Sequence, residues 1–240
     1  MAMTLGLFGS GEFLPWARDV DRHLLAAARA GDGSALIVPT ASSPEGPEVF
    51  DNWARMGLEH YAAMNVKARL APLRTREDAA DPSVAAMVER ASLVYFSGGN
   101  PAYLAQTLRD TPFWSAVIVA AEKGTAVAGC SAGACIFGEQ APDPTKIADI
   151  DQAFESRGLR VIPGIVFGAH WDALDTYYPG LQQLSLDVLT PEWTMVGLDE
   201  DTAMTTDGEV WRVFGGGAVT IYDDRDAPKV YRAGATFSLP

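Results

Sequence analysis

The run Gly129-Cys130-Ser131-Ala132-Gly133 carries the clearest chemistry in the chain. It has the G-x-S-x-G form, in which a serine nucleophile sits on a tight strand-to-helix turn. Side chains at the two outer positions would crowd such a turn. The helix that follows aims its first N–H groups and positive dipole end at the serine oxygen. The turn exposes its middle residue, Ser131, and sends Cys130 toward the core. A serine nucleophile needs a base. Of the three histidines, His23 and His60 fall within helix-like stretches and read as surface or half-buried residues. His170 instead follows the β-like run Ile165-Val166-Phe167-Gly168-Ala169, which puts it at the carboxyl end of a strand.

The base needs an acid to orient it. Asp172, Asp175, Asp199, Glu200 and Asp201 are the better placed carboxylates, Glu139, Asp149 and Asp151 the less well placed ones, and spacing alone does not choose among them. An oxyanion needs two N–H donors. Ala132, directly after the nucleophile, offers one. Ser97-Gly98-Gly99-Asn100 offers the other, because glycine lets backbone N–H groups approach a substrate closely. Each feature also has a plainer reading: Ser131 as a helix cap in a glycine-rich turn, and Asn100 as the cap of a helix opening at Pro101.

Two other glycine runs carry less. Gly9-Ser10-Gly11-Glu12 begins like a dinucleotide-binding loop, but the third glycine of that fingerprint is missing, since position 14 is Leu14. Gly215-Gly216-Gly217 lies between strand-like runs and reads as a turn.

The elements that must position these residues alternate. Strands are expected at Leu5–Phe8, Ser34–Val38, Val66–Leu73, Leu93–Phe96 and Thr125–Gly129, with helices at Asp19–Ala30 and Glu48–Met64, from Asp81-Pro82, and from Pro101 with a restart at Thr111-Pro112 to Gly124. Near-continuous apolar strands alternating with helices predict an α/β fold, a mainly parallel sheet with helices on both faces. Ligands meet such sheets at the carboxyl ends of the strands, where the loops after Phe8, Val38, Phe96 and Gly129 gather. From Trp193 the pattern changes to short strands (Trp193–Leu198, Thr202–Thr206, Val210–Phe214, Ala218–Tyr222, Val230–Ala233), with a hairpin signal at Thr206-Asp207-Gly208. These read as antiparallel strands added to the sheet edge near the C-terminus. No linker composition interrupts the chain, so residues 1–240 are read as one domain.

Composition narrows the function classes. The 240 residues hold 18 Lys and Arg against 31 Asp and Glu, a formal charge of −13. That leaves little material for a phosphate-binding face and is repelled by anionic membranes, so neither a nucleic-acid nor a membrane partner is expected. No apolar run approaches the ~20 residues of a spanning helix. The first basic residue is Arg18, so no secretory leader is read, and a cytoplasmic location is expected. Cys130 and Cys135, five apart, with three histidines in all, match no metal-ligand spacing, and neither a metal nor another cofactor is expected.

Tyr95-Phe96-Ser97-Gly98-Gly99-Asn100, Gly129-Cys130-Ser131-Ala132-Gly133-Ala134 and Gly197-Leu198-Asp199-Glu200-Asp201-Thr202-Ala203 together resemble the peptidase E and cyanophycinase family of serine peptidases, and the resemblance extends over most of the chain. It implies a fold similar to class I glutamine amidotransferases, with serine in place of their cysteine. It also implies Ser131 as nucleophile, His170 as base, Glu200 as the triad acid, and Gly98, Gly99, Asn100 and Ala132 as the substrate and oxyanion contacts. A homodimer is implied by the same resemblance. One stretch departs from it. Cyanophycinases carry Asp-Gln-His-Phe with arginines just downstream, whereas here the run is Gly168-Ala169-His170-Trp171-Asp172-Ala173-Leu174-Asp175, without the glutamine and with acids where basic residues would stand. The chain order Ser, His, acid also separates it from lipase-type hydrolases, where histidine comes last. The resulting expectation is a serine-type peptidase acting on small peptides, of the dipeptide or isopeptide class, through an acyl-enzyme. The rivals are an esterase with the same triad and an inactive amidotransferase-like binding module.

Overall fold

A computed structural model of the chain describes residues 3–208 and 210–240. Its strands are β1 (Leu5–Phe8), β2 (Ser34–Val38), β3 (Ala68–Leu70), β4 (Ala91–Phe96), β5 (Ala126–Cys130), β6 (Ile165–Gly168), β7 (Thr194–Leu198), β8 (Thr202–Thr206), β9 (Trp211–Gly215), β10 (Ala218–Tyr222), β11 (Lys229–Arg232) and β12 (Thr236–Phe237). Eight of them form one sheet in the order β12-β9-β8-β1-β5-β4-β2-β3. The β1-β5-β4-β2-β3 part is parallel. β1, β2, β4 and β5 are buried along their whole length. Strands covered on both faces lose the apolar-polar alternation and become continuous apolar runs, which is why the sequence reads them so directly. The helices Ala17–Ala27 and Pro47–Ala63 lie over one face, where Val20, Leu24 and Tyr61 join Phe8, Ile37 and Tyr95 in a buried cluster. The helices Pro101–Leu108 and Pro112–Lys123 lie over the other, where Leu104, Leu108, Phe113 and Val117 pack with Val94 and Phe96. Burying each large side chain of this kind is worth about 1.5–3 kcal/mol.

The late strands depart from the expectation of additions to one sheet edge. β8, β9 and β12 do extend the main sheet, with β8 antiparallel to β1. β7, β10 and β11 leave it and join β6 in a second sheet, order β11-β10-β7-β6. The physical reason is a separate apolar cluster of Val166, Trp171, Leu186, Leu189 and Met195. Gly168 and Gly197 face each other across β6 and β7, and the Trp171 ring lies so close that a Cβ on Gly197 would meet it at 2.3 Å. Such a platform needs a sheet of its own. Asp199, Glu200 and Asp201 are the link by which the chain crosses from β7 in one sheet to β8 in the other.

Candidate active site

Carboxyl ends of strands from both sheets converge, those of β1, β4 and β5 from the main sheet and those of β6 and β7 from the second. β5 ends at Cys130, and Ser131 follows with φ 51° and ψ −112°, before a short helix over Ala132–Cys135. A side chain rarely holds that backbone, and strain of this kind costs about 1–3 kcal/mol. It is held by the Ser131 N–H donating to the Phe8 carbonyl (2.9 Å), and by the Ala134 and Cys135 N–H groups donating to the Ser131 carbonyl (2.9 and 3.0 Å). The flanking glycines are required by close backbone approach. A Cβ on Gly129 would stand 2.0 Å from the Gly133 carbonyl oxygen, and one on Gly133 would stand 2.2 Å from that of Phe96.

His170 follows β6 and also has a positive φ, 50°. Its N–H donates to the Gly9 carbonyl at 3.4 Å. Its ring reaches both ways: Nε2 lies 3.0 Å from Ser131 Oγ, and Nδ1 lies 2.8 Å from Glu200 Oε1. The hydrogen bond to His170, followed by one from Tyr177, holds the Glu200 carboxyl below the usual carboxylate range. An ionised carboxylate can only accept, so Nδ1–H donates to it, and Nε2 is left to accept the Ser131 hydroxyl proton. The Tyr177 hydroxyl donates to the same Glu200 oxygen at 3.2 Å.

The other acids are engaged elsewhere. Asp172 Oδ1 accepts the Glu200 N–H at 2.8 Å and so fixes the backbone that carries Glu200. Asp199 Oδ2 accepts the Ala218 N–H at 2.8 Å, and burial raises its carboxyl. Asp201 has a positive φ and its N–H donates to Ser10 Oγ at 3.3 Å. Asp175 Oδ1 accepts from the Gln182 N–H at 3.0 Å.

The Ser97–Asn100 loop lies against the serine: a Cβ on Gly98 would be 3.5 Å from Ser131 Cβ. The Gly98 N–H is already used, donating to Glu12 Oε1 at 2.7 Å. Among the described residues, the Gly99 and Ala132 N–H groups have no protein acceptor. Asn100 caps the next helix, its Oδ1 accepting from the Tyr103 N–H at 3.0 Å, while its Nδ2 donates to Asp143 Oδ1 at 3.0 Å.

Sequence reasoning missed Glu12. Its carboxyl is buried, 5% exposed, and its second oxygen accepts from the Cys130 thiol at 2.9 Å. One side chain thus joins the Gly98 loop to the turn that carries Ser131. The signal is an acid directly after Gly9-Ser10-Gly11 at a strand's carboxyl end, in a run that begins like a dinucleotide loop. Burial and the neighbouring Glu12 carboxyl push the Cys130 thiol well up, and a protonated thiol is a poor nucleophile. The reading of His60 as a surface or half-buried residue is corrected. It is 3% exposed and its Nε2 lies 2.6 Å from Asp21 Oδ2, because the Pro47–Ala63 helix turns that face onto the Ala17–Ala27 helix. His23 is exposed, its ring tilted against that of Phe214.

Residues 5–214 match the family model of peptidase family S51. The chain belongs to peptidase family S51. It is therefore a hydrolase of the peptidase class, on the fold of that family. Among S51 relatives, the cyanophycinase of Trichormus variabilis is 26% identical over 228 residues, covering 90% of this chain and 72% of the relative. The cyanophycinase of Synechococcus elongatus is 29% identical over 209 residues, covering 82% and 62%. The crystal structure of a peptidase from an acI-B1 actinobacterium superposes with a TM-score of 0.90 at 28% identity, covering 100% of this chain and 98% of that one. A putative peptidase E of Listeria monocytogenes EGD-e superposes at 0.65 with 15% identity, covering 90% and 100%, a likeness of fold.

Proposed function

We propose that this S51 member hydrolyses short peptides, of the dipeptide or isopeptide class, through an acyl-enzyme on Ser131. The observation that supports this reading is the unbroken pair of hydrogen bonds from Ser131 Oγ to His170 Nε2 (3.0 Å) and from His170 Nδ1 to Glu200 Oε1 (2.8 Å). In this reading Ser131 Oγ attacks the scissile carbonyl carbon while its proton passes to His170 Nε2. The Gly99 and Ala132 N–H groups receive the oxyanion. The C–N bond then breaks and the amine leaves with the proton held on Nε2. Water, deprotonated by the same nitrogen, attacks the acyl ester and frees the acid and Ser131. Glu200 stays ionised throughout and stabilises the imidazolium. The cyanophycinase names of its relatives support hydrolysis as the reaction of this site.

A panel of dipeptides and β-aspartyl isopeptides, assayed for amine release beside a simple ester, tests the proposal. Peptide turnover by the wild type, reduced at least about 10⁴-fold in Ser131→Ala, is the expected result. Ester turnover without any peptide turnover, or peptide turnover that survives Ser131→Ala, would overturn it.

A further inference from the structure

We infer that one of the two substrate residues flanking the scissile bond presents an apolar side chain, aromatic or branched aliphatic, to a cavity beside Ser131. The inference deepens the peptidase reading above and rests on it. The cavity opens at Ser131 and His170 and holds about 170 Å³. Ile147, Phe154, Phe167, Trp171, Leu181 and Met195 supply large apolar side chains to its wall, and among the described residues no Lys, Arg, Asp or Glu lines it. Apolar cavities of about 150 Å³ accept a benzene-sized guest, so this one fits a single side chain. Cys135 also lines it, and burial raises that thiol to about 11, which leaves it uncharged at neutral pH.

A carboxylate or guanidinium entering here would shed its water and find no charged partner. Nor does the second cleft at Ser131 offer a cation. It holds about 390 Å³, with Glu12, Trp53 and Met56 in its wall and no Lys or Arg. An acidic side chain on either side of the bond therefore lacks a counter-charge, while the first cavity rewards an apolar one by the ordinary hydrophobic effect.

The test uses one peptide panel in which Leu, Phe, Asp or Arg occupies each position around the bond in turn. kcat/KM is measured on the wild type, and binding is measured by calorimetry on Ser131→Ala, which requires no turnover. Leu or Phe at one of the two positions should exceed Asp and Arg there by about 100-fold or more in kcat/KM, with the same order in binding. Leu181→Arg should collapse that preference and improve the Asp peptide, and labelling of Ser131 by a fluorophosphonate shows that the variant's site is intact. If that variant does not fold, Phe154→Ala serves, with the Phe-over-Leu ratio rising as the cavity widens. Asp or Arg peptides that equal the apolar ones at both positions, in binding or in turnover, would overturn the inference. Failure of the peptidase reading has a different signature: no labelling and no peptide turnover, whatever the order of binding.

Discussion

Ser131 and His170 both hold positive backbone φ, 51° and 50°, and their side chains meet at 3.0 Å between Oγ and Nε2. Two residues in sparsely populated conformations, thirty-nine positions apart, are thus held by their surroundings in the geometry of a nucleophile and its base. The strain has a measurable consequence. Ser131→Gly should relieve it and raise stability by about 1 kcal/mol, a gain in Tm of roughly 2–4 °C, while Ser131→Ala should not. Thermal unfolding of the two variants side by side checks this. Equal Tm values would mean that the turn is unstrained.

Glu200 differs from the adjacent acids in facing the imidazole. Glu200→Gln keeps the shape but not the charge, and should lower kcat by about 10²- to 10⁴-fold, a barrier change of roughly 3–5 kcal/mol, with little change in KM or Tm. Asp199→Asn and Asp172→Asn should be mild by comparison, since both side chains accept backbone N–H groups, which an amide oxygen also does. Steady-state kinetics on the three variants checks the order.

Much of this arrangement was legible in the sequence. G-x-S-x-G after an apolar strand singled out Ser131, and the β-like run before His170 placed that histidine at a strand's carboxyl end, although the strand, β6, belongs to the second sheet and not to the one that carries Ser131. The acid was not legible from spacing. Asp199, Glu200 and Asp201 span a crossing between two sheets, and the second sheet depends on Trp171 covering the Gly168–Gly197 pair, a long-range packing event with no local pattern. Glu12 was hidden for a similar reason: its partners, Gly98 and Cys130, are 86 and 118 residues away. His60 was misread because its helix carries polar residues on several sides, and only the neighbouring helix supplies Asp21.

The His60–Asp21 pair should matter for stability and leave the chemistry largely unchanged. Both side chains are fully buried, and removing one partner of a buried pair costs about 3–5 kcal/mol. His60→Ala should therefore lower the denaturant midpoint strongly, while the fraction that remains folded keeps its kcat. His170→Ala should do the reverse. Chemical denaturation and active-site-normalised kinetics on the two variants separate them.

The two buried thiols predict an alkaline limit. Burial raises both, Cys135 to about 11. A group whose folded pKa is raised gives stability that is complete below its unfolded value, about 8.5, and is lost as pH rises through the folded value. Tm should therefore fall between about pH 9 and 11, and less so in Cys135→Ala. At pH 8 the native protein should react with a thiol reagent far more slowly than the unfolded chain. Fast native reaction at pH 8 would show an accessible thiolate and contradict the burial argument.

The central claim is that Ser131, activated by His170, is the nucleophile. The most direct measurement is to incubate the protein with a fluorophosphonate and to locate the label by peptide mass mapping. One equivalent on Ser131 is predicted, absent in Ser131→Ala and formed at least about 10²-fold more slowly in His170→Ala. A label on Cys130 or on another serine, or full peptide turnover by protein that takes no label, would contradict it.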